Sequence, residues 1–171
     1  MYKPISTYTG RHFDPYHAVA ADLDVRDIAH AQSLMTRANG HFPEFYSVAQ
    51  HSIACAHEAL ARNYSRRVAL ACLLHDGSEA YLSDITRPVK HQIEGYCQIE
   101  KKMQDTVYQK FLGTLPTPEE SQKIKDIDDT CLYYEFYHYM GIRLMESAPL
   151  CHSTLRFETI PFQKGEQQFL D

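Results

Sequence analysis

Apolar and polar positions recur with helical spacing along most of the chain, and residues that start and stop helices mark the boundaries. Asp24, with Asp27 three residues on, opens a helix that the pattern carries to about Arg37, where "ANGHFP" ends it. Ser47 and Gln50 form a capping-box pair ahead of "VAQHSIACAHEALA", a stretch of about four turns. Ser65 caps "RRVALACLLHD", whose apolar residues run without a polar face, so burial on all sides is expected there, with Gly77 in a left-handed position just past its end. After "TRPVK" a further helix runs from about Ile93 to Leu112, with Gly95 weakening its start and Gly113 closing it. Thr117, Pro118 and Glu120 supply cap, first-turn proline and N3 acid for a long helix ending near Gly141.

Period-2 alternation is nearly absent, so the expected class is all-α, a bundle of about five to seven helices. The opening 23 residues read as irregular with a short hairpin around "TYTGRHF", and the tail with Pro149 and Pro161 as irregular chain packed on the surface. No linker, repeat or biased tract divides the chain, so residues 1–171 are expected to form one domain with its core over about 24–141.

Composition narrows the partners. A net charge of -5 with scattered Lys and Arg gives no basic field for a nucleic-acid polymer, which leaves a small molecule as the expected substrate. The start "MYKPISTYTG" lacks a charged head followed by an apolar run, and no stretch approaches membrane-spanning length; a soluble, cytoplasmic protein without membrane contact is expected. Cys55, Cys72, Cys97, Cys131 and Cys151 form no CxxC pair and mostly sit in apolar helical patterns, as buried reduced thiols do.

The apolar run Val68–Leu74 leads directly into His75 and Asp76, with Glu79 and Asp84 following. A helix C-terminus carries partial negative charge, so a carboxylate there calls for a cation. His75 and Asp76 offer the nitrogen and oxygen ligands that suit a divalent ion (Zn, Mn, Co, Fe, Ni or Mg). Further ligands come from His51, on a stripe with Val48, Cys55 and Ala59, and Asp128, on a stripe with Ile124, Ile127, Cys131 and Tyr134.

The order His51, His75–Asp76, Asp128, with the segments "YSVAQHS", "LLHDGSEAYLSDITRPVK" and "IKDIDDTCLYYE", resembles the HD-domain metal-dependent phosphohydrolases over roughly residues 5 to 140. Within them it is most similar to small bacterial 5'-deoxynucleotidases and phage deoxynucleoside triphosphohydrolases. The resemblance implies an HD-domain helical bundle, catalytic roles for Glu79 and Asp84, and phosphate contact by Arg37, with Lys90 a weaker candidate. It also sets Asp128 above its neighbour Asp129, because the family places its last ligand three residues after a lysine. It implies hydrolysis of a nucleotide phosphoester, deoxynucleoside monophosphates ahead of triphosphates, with a non-catalytic nucleotide sensor as the alternative.

Simpler roles compete. Glu79 also reads as a solvated loop acid, Asp84 as a turn cap and Arg37 as a helix-terminal cation, each behind the site role that the resemblance implies. Glu135, seven residues past Asp128 on the same face, reads as a supporting acid rather than a catalytic one. His12, His17, His30, His57, His91, His138 and His152 read as packed or surface residues, while Asn39 and His41 are linked to the site only by proximity in sequence. The segment "YYEFYHYM" reads as core and subunit interface, so a homo-oligomer is expected.

Overall fold

The structure, a computed structural model, describes residues 4–171. It is mostly helical, 57% of residues, which settles the class as helical. A two-residue-per-strand hairpin, β1 (Ile5–Ser6) and β2 (His12–Phe13), pairs Ile5 with Phe13 around a turn at Gly10. It is held down by Thr9, whose backbone N–H and hydroxyl donate to the buried Asp27 carboxylate at 2.7 and 3.0 Å. The helices are α1 (Val25–Leu34), α2 (Val48–Ala61), α3 (Arg66–Leu73), α4 (Glu79–Leu82), α5 (Arg87–Lys90), α6 (Tyr96–Leu112), α7 (Pro118–Met140) and α8 (Phe162–Leu170).

Starts governed by local chemistry fall where the residues place them. Ser47 and Gln50 cap α2 reciprocally, Thr117 and Glu120 do the same for α7, and the Ser65 hydroxyl accepts from the Val68 N–H at the head of α3. Helix α2 packs against α3, α1, α7 and α8. It and α3 bury small side chains, Ala49, Cys55 and Ala59 on one and Ala71 and Cys72 on the other, so their backbones can lie close together. Met103 and Val107 of α6 and Ile124, Ile127 and Cys131 of α7 complete this core. Among the described residues no helix is long and apolar enough to cross a membrane.

Several expectations are corrected: the described residues form eight helices rather than five to seven, and "TRPVK", expected as a loop, carries the short helix α5. Helix α1 ends at Leu34, not Arg37, because the chain turns into an antiparallel bridge: the Arg37 N–H donates to the Tyr46 carbonyl and the Val48 N–H to the Met35 carbonyl. Helix α3 is not buried all round, since Leu70 is 39% exposed and Arg66 lies on the same open side. Gly77 is not left-handed; it is required by space, because a Cβ there would sit 2.9 Å from Val107 and 3.0 Å from the Leu74 carbonyl oxygen. The tail is irregular only to Pro161, after which α8 buries Phe169 and packs Gly165 against Ser33 of α1. In the aromatic segment Tyr133 is buried and Phe136 meets Phe42 edge-on, whereas Tyr137 is half exposed.

Candidate metal centre

Three parts of the chain bring their donors to one point: α2 supplies His51, the turn after α3 supplies His75 and Asp76, and α7 supplies Asp128. His51 Nε2 lies 3.2 Å from His75 Nε2, 3.2 Å from Asp128 Oδ1 and 3.9 Å from Asp76 Oδ2. His75 Nε2 lies 3.4 Å from Asp76 Oδ1 and 3.7 Å from Asp128 Oδ1. Ligands about 2.0–2.2 Å from a shared ion stand roughly 3–3.5 Å apart. Three of these spacings lie in that range and the two longer ones, 3.7 and 3.9 Å, a few tenths of an ångström beyond it, so a single divalent ion fits with a small shift of the carboxylates.

The far side of each imidazole is spoken for. His75 Nδ1 meets the Cys72 carbonyl at 2.7 Å, and a carbonyl only accepts, so the ring proton sits on Nδ1. His51 Nδ1 meets Glu135 Oε1 at 2.6 Å. Both Nε2 atoms are thereby turned toward each other and toward two carboxylates, an arrangement that metal-ligating histidines commonly show. Burial and Arg37 lower the basicity of His51, but Glu135 and Asp128 outweigh them and push its imidazole up to about 10. Asp128 goes the opposite way, held well below the usual carboxylate range by His51 and His75 in spite of its burial. The cluster therefore favours positive charge at its centre, which a proton or a metal ion can supply.

The turn carrying His75 and Asp76 is fixed by side chains from two helices. Gln32 of α1 donates to the Asp76 carbonyl at 2.7 Å; Gln104 of α6 donates to the Leu74 carbonyl at 2.8 Å and accepts from the Ser78 N–H at 3.0 Å. Each carbonyl also accepts a backbone N–H, Leu74 from Gly77 and Asp76 from Glu79, both at 2.9 Å, so the glutamines add a second bond that ties the turn to α1 and α6. Gly77 lets α6 approach closely enough to make them. Sequence reading passed over both glutamines. Gln32 could have been found, since it shares the buried stripe of Ile28 and Ala29.

Around the centre, Arg37 is 8% exposed and its fork is divided among acids. Nε and Nη2 face Glu135 Oε2 at 3.4 and 3.5 Å, while Nη1 lies 3.5 Å from Asp76 Oδ2 and 3.9 Å from Asp84 Oδ2. That placement replaces the helix-terminal reading with one inside the site. Glu79 is 5% exposed, not a solvated loop acid, and its buried Oε2 has no hydrogen-bond partner among the described residues. Burial, then Asp76 and Asp84, push its carboxyl well up; burial also raises Asp84, against Arg37. Lys90 pairs with Glu100 and stands 4.0 Å from Glu79. Asn39 and His41 are exposed, and of the remaining histidines His17, His30 and His152 make contacts elsewhere, with Asp14, Glu166 and Glu58.

Arg87, the first residue of α5, was missed: it donates to Asp128 Oδ2 at 2.7 Å and Asp129 Oδ1 at 3.2 Å, leaving Asp128 Oδ1 to face the imidazoles. Asp129 is occupied by Arg87 and Lys125, so Asp128 is the acid at the centre. Nothing local in the sequence signals this contact. His51, Cys55 and His75 also place ligand atoms within 4.8 Å of one another and could hold a metal ion. Clefts of about 580 and 560 Å³ open elsewhere, along α6 and along the outer face of α2, and neither is lined by the centre's residues.

No family model matches the chain. It is 32% identical over 123 residues to the uncharacterized protein YfdR of Escherichia coli (strain K12), covering 72% of this chain and 66% of that protein. It is 35% identical over 118 residues to an uncharacterized protein of Rhodobacter capsulatus, covering 64% of this chain and 60% of that one. The chain thus spans about two thirds or less of these curated relatives' length.

Proposed function

We propose that the chain is a divalent-metal-dependent phosphohydrolase of the HD-domain class that cleaves the phosphoester of a small nucleotide. The observation that carries this reading is the convergence of two Nε2 atoms and two carboxylates, each imidazole pinned from behind, beside the buried acid Glu79, whose Oε2 has no hydrogen-bond partner among the described residues. His51, His75, Asp76 and Asp128 would hold the ion. Bound there, a divalent cation supplies Lewis acidity toward a phosphoryl oxygen and toward water.

The chain's own groups supply the rest. Arg37 presents Nη1 on the site side and offsets charge that builds on phosphorus. Glu79, whose carboxyl is pushed up by burial and by Asp76 and Asp84 and whose buried Oε2 has no hydrogen-bond partner among the described residues, is suited to protonate the leaving alkoxide. Asp84, closer to Arg37 and less buried, is suited to take the proton from the attacking water. Monophosphates are favoured over triphosphates because Arg37 and Lys90 are both already paired with acids, leaving few free cations for a longer anionic chain.

The test is product analysis after chelation and reloading with Mn²⁺, Co²⁺, Zn²⁺ or Mg²⁺ on a panel of nucleotides. Inorganic phosphate from monophosphates is expected; triphosphate from triphosphates would move the scissile bond to the alpha phosphorus. Release of neither product with any metal would contradict the reading and leave a binding protein.

A further inference from the structure

The centre contains a sulfur that the phosphohydrolase reading does not use. Cys55 lies one helical turn after His51 on the same face of α2, is 1% exposed, and places Sγ 3.6 Å from His51 Nε2. A tetrahedral ion bonded at about 2.3 Å to sulfur and about 2.0–2.1 Å to nitrogen holds those two atoms roughly 3.5 Å apart. The observed spacing is that of two ligands on one ion. His75 Nε2 is 3.2 Å from His51 Nε2, and the His51, Cys55 and His75 ligand atoms all lie within 4.8 Å of one another.

We propose that His51, Cys55 and His75 form a second, softer ligand set that shares both imidazoles with the carboxylate set and captures thiophilic divalent ions, Zn²⁺, Co²⁺ and Cd²⁺, in preference to Mn²⁺ or Mg²⁺. The inference rests on the metal centre described above and concerns which ions it selects. Asp128 Oδ1, 3.2 Å from His51 Nε2, is placed to complete four-coordination. Asp76, already engaged through Oδ2 by Arg37, is the ligand that the sulfur replaces. Metal binding in this mode deprotonates the thiol and so releases one proton more than binding through the carboxylate set. Hard ions gain little from sulfur and remain with the two carboxylates. The competing explanation is that Cys55 is a packing thiol against Cys131, its interhelical neighbour.

Cobalt separates the two. The chelated full-length chain is titrated with Co²⁺, and its near-ultraviolet thiolate-to-cobalt charge-transfer band is followed together with the visible ligand-field bands. The proposal expects the charge-transfer band in the wild type, its loss in Cys55→Ala, and its retention in Cys72→Ala. It further expects the preference for Zn²⁺ over Mn²⁺, measured by competition, to fall by roughly an order of magnitude in Cys55→Ala, the scale on which a supporting contact alters metal affinity. Cobalt bound with ligand-field bands but no charge-transfer band in the wild type overturns the proposal while leaving the metal centre intact, and needs no variant to fold. A band that survives Cys55→Ala overturns it as well. Failure of cobalt to bind at all overturns both this inference and the metal-dependent reading.

Discussion

Glu135 shows how one residue can govern a site it does not enter. Its two oxygens divide between His51 Nδ1 at 2.6 Å and the Arg37 guanidinium, so it aims the imidazole and anchors the arginine together. Glu135→Gln keeps the size but loses the charge that makes His51 a stronger ligand. A 10- to 100-fold loss of metal affinity is expected by titration calorimetry, with the fold retained. Glu79→Gln differs: it cannot donate the acid proton, so kcat should fall by about 10²–10⁴ while metal affinity changes little. The candidate ligands were legible in the sequence because His51 and Asp128 fall on apolar stripes and His75 and Asp76 end an apolar run, positions where a titratable group is anomalous. Arg87 was not, because an arginine beside a proline in a polar stretch is ordinary until its contact with Asp128, across 41 positions, is known.

At the scale of elements, the turn from Leu74 to Ser78 is where packing and chemistry meet. Gly77 sits against Val107 of α6 with no room for a methyl group. Gly77→Ala should destabilise the fold by about 1–3 kcal/mol, the usual range for overpacking, and weaken metal binding because His75 and Asp76 move with the turn. Chemical denaturation checks the first effect. Combining it with Val107→Ala should cost less than the sum of the two single changes, since they share one contact. Reading Gly77 as a left-handed cap used the rule for helix ends, but the constraint comes from a helix that starts 19 positions later at Tyr96. Caps such as Ser47 with Gln50 were readable because both partners lie within one turn.

At the scale of the whole molecule, the tail closes over the outer side of α2 by way of Glu58. This fully buried carboxylate accepts from the Arg62 side chain, the N–H groups of His152 and Ser153, and the Ser153 hydroxyl. Burial alone would raise it, but these donors bring it from its ordinary 4.5 down to about 2. A lowered folded-state value means that Glu58 stabilises the protein above about pH 4.5 and that this contribution is lost as pH falls toward about 2. Glu58→Gln should therefore lower the melting temperature at neutral pH and flatten its decline between those limits, as thermal unfolding across pH would show. Helix α8 escaped sequence reading because Pro149 and Pro161 mark breaks and Gly165 weakens a helix. It is stabilised by packing on α1 and α2 instead.

The most direct test of the central claim is anomalous scattering from crystals grown with excess Mn²⁺. The account predicts a metal peak about 2.0–2.3 Å from both His51 Nε2 and His75 Nε2, with Asp76 and Asp128 as the flanking carboxylates. Absence of any peak between those imidazoles under metal-replete conditions would contradict it.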